Sequence, residues 1–385
     1  MDLDDPDSMR RADARALAAA LTALRGRTLA HFAALREALG DGLDIPYAET
    51  VNPPLWELGH VGWFEEFWIG RNTERQRGNA ARLEAPRAAP WLRGADALYD
   101  SSVVAHRRRW QLDLPDAARS VEMLGRVRER TLALLRDADH DDSNSDEALY
   151  FFRWALMHEA MHLEAGLMIA QGLGLAVSDL GPSSVGLRRE LAVPAATLAV
   201  GTNDGGFAFD NEIGAHEIDI DAFSIDSAPV TWRDYLPFAL EHGLPHHLAR
   251  DEAYEHGVKR AAFGRWLALD LDAPAVHVTA HEARAWCNWA GRRLPTEHEW
   301  TLAQRQHGAA FVFGQVWEWT ASPFAPWPGF APHPYRDYSA PWFDGRPVLK
   351  GGSFATPAFM KHPRYRNFFT ADRSDVFAGL RSCAR

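Results

Sequence analysis

The chain has 385 residues, 46% of them hydrophobic and 24% charged, with a formal net charge of -11. That composition fits a globular protein of two or three domains, and the acidity argues against nucleic acid or an anionic membrane as partner. Two cysteines, Cys287 and Cys383, exclude a disulfide framework, and the acidic opening MDLDDPDSMRRADA lacks a signal-peptide layout, so a cytoplasmic location is expected.

The first 175 residues read as helical. Residues 10–39 are rich in Ala, Leu and Arg, contain no Pro, and are closed by Gly40. A second helix is expected from Asn52 as N-cap, with Pro53 in the first turn, and carries LWELGHVGWFEEFWIG. A third is expected over 116–137. The polar tract HDDSNSDE at 140–147 breaks the pattern, and Ser145 caps a fourth helix through ALYFFRWALMHEAMHLEAGLMIAQGLG. Four such helices predict a bundle.

The character changes after residue 176. Residues 177–194 read as a linker, and 195–385 hold short apolar runs with many Gly, Pro and Asn. Only 230–242 and 279–290 look helical there. The reading is an α+β protein of two domains: a helical bundle at 1–176 and a loop-rich α+β domain at 195–385.

On the fourth helix, His158 and His162 lie one turn apart and share a face with Phe151, Ala155, Ala165 and Ile169. Both imidazoles can therefore reach one ion. A third ligand has to come from another helix, and His60, set among Trp56, Val61, Trp63 and Phe64, is the candidate. Three histidines leave coordination positions open, which suits catalysis. A single buried histidine is more often simply hydrogen-bonded in the core. HEAMH also fits the HExxH protease pattern with Glu159 as base, but no further ligand follows at a familiar spacing, since Glu164 is only two residues on. The 15 tryptophans fill a large core or supply an aromatic cage for a quaternary ammonium group.

HEAMHLE resembles the H-x3-H-x-E signature of the ergothioneine sulfoxide synthases, and LGHVGWFEEFW resembles their upstream helix with the third histidine. FAFDNEIGAHEIDIDAFSIDSAPVT, WAGRRLPTEHEW, GQVWEWTASPF, VLKGGSFAT and RYRNFFTADRSDVFAGLR resemble successive blocks of the formylglycine-generating-enzyme-like fold. The likeness spans about residues 45–385. It implies a DinB-like four-helix bundle joined to a C-type-lectin-related domain that supplies active-site loops. It also implies an Fe(II)- and O2-dependent reaction joining a chalcogen donor to the imidazole C2 of hercynine.

Carried over position by position, the resemblance makes His60, His158 and His162 the iron ligands. In PYRDYS, Tyr335 matches the catalytic tyrosine and Tyr338 its partner; Asn367 and Phe368 match contacts to the betaine. Members that use γ-glutamylcysteine have an acid after the RN dipeptide, where this chain has Phe368 and Phe369, and a Gln where Met161 stands. Their bundle arginine pair is replaced by SSVVAHRRRWQLDLP, with Arg107, Arg108 and Arg109 contiguous. These departures resemble the branch containing the selenoneine synthases, implying a neutral selenosugar donor, with Tyr338, Met161, Asn367, Phe368 and Phe369 lining the substrate site. A sulfur donor such as cysteine or γ-glutamylcysteine is the alternative. Arg107, Arg109 and Arg381 are expected in salt bridges. A copper-dependent formylglycine-generating oxidase is disfavoured, because Cys383 has Ala378 where the second thiol belongs. A DinB-type zinc thiol transferase and a lectin-like binding module complete the alternatives.

Overall fold

The computed structural model describes residues 2–140 and 145–385, so half of the polar tract expected at 140–147 lies outside the described residues. The chain divides into two compact units. One comprises Met1–Ala170, Asp204–Ala208 and His333–Asp337; the other comprises Gln171–Asn203, Phe209–Pro332 and Tyr338–Arg385. Among the described residues no helix is long and apolar enough to cross a membrane.

The first unit opens with a short helix, α1 (Pro6–Arg10), and then α2 (Ala14–Leu39). Asp13 accepts a hydrogen bond from Ala16 N, so the long helix starts at this cap and not at residue 10. The next helix, α3 (Pro54–Glu65), begins two residues later than the expected Asn52 cap. Pro53 occupies the cap position, and the Asn52 side chain is turned to Glu57 instead. One π-helical turn, Glu66–Gly70, continues α3 and was not legible from residue periodicity. A short α4 (Ala95–Tyr99) precedes α5 (Ala117–His140) and α6 (Asp146–Gly172). Ser145 caps α6 as expected, its hydroxyl accepting from Ala148 N at 3.2 Å.

Four buried charges tie the long helices together. Arg25 of α2 donates to Glu159 of α6 (2.7 Å) and Glu65 of α3 (2.8 Å). Arg128 of α5 donates to Glu65 at 2.9 Å and to Glu159 at 2.7 Å, and to the Leu21 carbonyl. Each helix contributes one member, so the network fixes their register as well as neutralising itself.

The second unit is built from small sheets and three helices. Strand β1 (Glu190–Val193) falls inside the stretch read as linker. With β2 (Ala196–Val200), β3 (His216–Ile220) and β4 (Phe223–Asp226), it opens the unit. Helix α7 (Trp232–His242) follows, then a three-stranded antiparallel sheet of β5 (Leu248–Arg250), β6 (Val258–Ala262) and β7 (Arg265–Ala268). Next come α8 (Ala280–Trp289), β8 (Arg292–Arg293), α9 (Glu297–His307) and β9 (Trp317–Pro323). The chain ends with β10 (Pro347–Lys350), β11 (Asn367–Phe368), β12 (Ala378–Leu380) and β13 (Cys383–Ala384). Two four-stranded sheets, ordered β1-β4-β13-β8 and β11-β10-β9-β12, frame the unit. Val193, Ile225, Trp300, Phe311 and Cys383 pack together in its core.

Helix α9 corrects the expectation of only two helices in this half. Thr296 and Glu299 form a reciprocal capping box at its start, as Thr279 and Glu282 do for α8. The T-x-x-E spacing in PTEHEW was the available signal, masked by the low hydrophobicity of the helix.

Candidate metal centre

His60 projects from the middle of α3, and His158 and His162 from successive turns of α6. Their ring nitrogens lie within 4.8 Å of one another, the only such cluster of three His, Cys, Asp or Glu among the described residues. His158 Nε2 is 3.2 Å from His60 Nε2 and 3.1 Å from His162 Nε2. Nitrogens sharing one cation at about 2.1 Å lie about 3.0–3.4 Å apart, so the spacing suits a bound metal.

Proton bookkeeping points the same way. His60 Nδ1 donates to the Tyr99 carbonyl at 2.7 Å, which leaves the lone pair of the neutral ring on Nε2. His162 Nδ1 faces the Glu57 carboxylate, so a neutral His162 also presents a bare Nε2. Burial pushes His60 down to about 3 and His158 well below the usual histidine range, so both are neutral. Convergent lone pairs in a buried site repel one another unless a cation lies between them.

The approach of Tyr99 requires a glycine. A Cβ at position 59 would lie 2.2 Å from the Tyr99 ring, so only Gly59 lets that carbonyl reach His60.

An aromatic wall surrounds the cluster. Trp56 stacks on His60 with centroids 4.6 Å apart, and Phe64 stacks on His158 at 3.6 Å. Tyr335, on the His333–Asp337 segment of the helical unit, stands edge-on to Phe64, Trp154 and His158 at 5.1, 5.4 and 6.2 Å. Its hydroxyl is 3.4 Å from Ser101 Oγ. Burial pushes the phenol up to about 12, outweighing the Ser101 hydrogen bond, so it keeps its proton at neutral pH.

The structure therefore brings four of the sequence-predicted residues, His60, His158, His162 and Tyr335, into one place. Met161 is half-buried on α6 between the two histidines. Tyr338, Asn367, Phe368 and Phe369 belong to the second unit. There Tyr338 stacks on Phe209 at 4.7 Å and meets Phe368 at 6.0 Å, while Phe368 stacks on Phe324 at 4.0 Å. Asn367 accepts from Phe368 N through its own side chain, and Arg373 lies 4.8 Å over the Phe369 ring.

The arginines separate by role. Arg381 is fully buried and paired with Glu318 at 2.7 Å, a structural ion pair. Arg107 lies over the Tyr47 ring, and Arg108 is exposed. Arg109 instead reaches the metal-site helix, donating to Asn52 Oδ1 at 2.6 Å and covering the Trp56 ring at 4.1 Å.

Sequence reasoning missed Glu57, which is buried and bound by both His162 and Asn52. Burial alone would raise its pKa, but His162, with a hydrogen bond from Asn52, holds it at about 2. An acid one turn before His60 in an otherwise apolar segment was the signal. Cys287 and Cys383 are buried free thiols pushed up to about 12 by burial, unlike a reactive pair.

Comparison with known proteins agrees with this division. Residues 178–313 and 303–385 match the sulfatase-modifying factor enzyme 1-like domain, and residues 20–165 match the DinB superfamily. The chain is 29% identical over 410 residues to the hercynine oxygenase of Mycolicibacterium thermoresistibile, covering 87% of this chain and 88% of that protein. The hercynine oxygenase of Mycobacterium tuberculosis is also 29% identical, covering 87% and 91%. A formylglycine-generating enzyme of Mus musculus is 27% identical over 32% of this chain and 42% of its own length. The chain belongs to the sulfatase-modifying factor enzyme 1-like family and carries that domain behind a helical domain of the DinB superfamily.

Proposed function

We propose that the protein is an iron(II)- and O2-dependent enzyme that joins the imidazole C2 of hercynine to a selenosugar, leading to selenoneine. The observation that carries the reading is the convergence of His60, His158 and His162 beside Tyr335 in a chain similar to hercynine oxygenases over most of its length. Iron(II) bound by the three imidazoles would supply activation of O2.

The chain's own residues do the rest. His60 and His162 are oriented through Nδ1 by Tyr99 and Glu57. Phe64 and Trp56 exclude water around the ring nitrogens. Tyr335 holds a proton on a neutral phenol next to His158, available for donation during oxygen chemistry. The aromatic side chains of Tyr338 and Phe368, which meet in the second unit, suit a trimethylammonium group.

Support for a neutral donor comes from the residues after Asn367. Phe368 is stacked on Phe324 and Phe369 lies under Arg373, so no carboxylate follows the RN dipeptide to meet a donor's ammonium group. A thiol donor is the second reading, favoured by the likeness to hercynine oxygenases itself. The expected setting is cytoplasmic.

The test is anaerobic iron loading followed by O2 and hercynine with 1-selenoglucose, 1-thioglucose, cysteine or γ-glutamylcysteine in parallel, read by mass spectrometry. A hercynyl product with the selenosugar alone supports the selenium reading. Turnover with cysteine or γ-glutamylcysteine alone assigns a sulfur donor, and no hercynyl product with any donor overturns both.

A further inference from the structure

Glu57 and His60 are one turn apart on α3, and both side chains point toward α6. Glu57 is 3% exposed, yet it carries a carboxylate among Trp, Leu and Gly neighbours. Such a group is tolerated only when both oxygens are satisfied. One oxygen takes the proton on His162 Nδ1, and the other takes an amide proton of Asn52. Asn52 is in turn held by Arg109, whose guanidinium donates to Asn52 Oδ1 at 2.6 Å. The same guanidinium lies 4.1 Å over Trp56, and Trp56 is stacked on His60. One arginine thus reaches two of the three histidines, His162 through a hydrogen-bond chain and His60 through a stack of rings.

We infer that Glu57 is a positioning residue of the metal centre: it fixes His162 as the Nδ1–H tautomer, aims Nε2 at the ion, and is itself locked by Asn52 and Arg109. The inference rests on the proposed three-histidine iron site. A carboxylate behind a ligating imidazole raises the basicity of the ligand and fixes its ring plane. Its negative charge also favours the more highly charged metal state. Glu57 makes α3 responsible for two ligands, one directly and one through α6.

The test uses the full chain and the variants Glu57→Ala, Glu57→Gln and Asn52→Ala, with folding checked by circular dichroism. Fe(II) affinity is measured by competition with a chromophoric chelator, Co(II) binding by its visible bands, and the Fe(III)/Fe(II) potential by redox titration. Glu57→Ala should lose about 10- to 100-fold in Fe(II) affinity, shift the Co(II) bands and raise the potential. Glu57→Gln should retain part of the affinity but show the raised potential, because the amide accepts the His162 proton without the charge. A merely structural residue would leave the potential and the Co(II) bands unmoved in every folded variant, and that result overturns the inference. If Glu57→Ala does not fold, the same readouts on Glu57→Gln and Asn52→Ala decide it. Wild-type protein that takes up neither Fe(II) nor Co(II) overturns the iron site and this inference together. Wild-type uptake with unmoved variants overturns the inference alone.

Discussion

Glu159 follows His158 directly in the chain, yet the two side chains leave α6 on different faces. His158 Nε2 meets two imidazoles at 3.1 and 3.2 Å, while Glu159 accepts from Arg25 Nε and Arg128 Nη2, each at 2.7 Å. In an HExxH protease the glutamate serves as a general base beside the metal-bound water. Here both its oxygens are committed to arginines in the bundle interior. Glu159→Ala is therefore expected to destabilise the helical unit by about 3–5 kcal/mol, the typical result of stranding a buried partner charge. Urea unfolding of the full chain measures it, and unaltered stability would contradict the structural role.

The same network sets an acid limit. Burial alone would raise the pKa of Glu65, but Arg128 and Arg25 outweigh it and bring the group to about 2 from an ordinary 4.5. Because the folded value is the lower one, the stabilisation is complete above pH 4.5 and is lost as pH falls toward 2. A shift of that size corresponds to about 3 kcal/mol. Wild-type stability should fall steeply between pH 5 and about 2, and Glu65→Gln should flatten the slope. Equal slopes in chemical denaturation would remove Glu65 as the acid-sensitive group.

His162→Ala should abolish iron binding while leaving the second unit folded, since the cluster of ring nitrogens loses one of its three members. Metal content after anaerobic loading and desalting reads the first part, and limited proteolysis reads the second. Full retention of iron would dismiss His162 as a ligand.

Tyr335→Phe removes a hydroxyl held by a long hydrogen bond to Ser101 at 3.4 Å, so the fold should be almost unaffected. The product ratio should change: less carbon–selenium or carbon–sulfur bond formation, and more oxidation of the donor alone. Mass spectrometry of products against O2 consumed checks this. An unchanged ratio would take Tyr335 out of the mechanism.

The helical half was legible because its signals are periodic. The inward stripe that carries His158 and His162 continues through Phe151 and Ala155, and such repetition survives without any tertiary information. Glu57 was harder to see, because a lone acid on a helix normally reads as a solvated position. Only the burial of α3 shows that its carboxylate has nowhere to go except His162 and Asn52. Helix α9 was missed for the opposite reason: EHEWTLAQRQH is mostly polar, and its identity rests on the Thr296–Glu299 box. Tyr335 was found by resemblance, since no local rule tells a loop tyrosine at the surface from one beside a histidine cluster.

The placement of residues 333–337 has a consequence for biosynthesis. This segment packs with a helical unit whose own run ends at Ala170, and His333 accepts from or donates to the Tyr150 hydroxyl at 2.7 Å. The bundle leaves the ribosome on the order of ten seconds before these residues exist, at typical rates of about 5–20 residues per second. The nascent helices thus have their histidines long before their tyrosine. An ion captured by the three histidines during that interval would sit in a pocket that Tyr335 has yet to line.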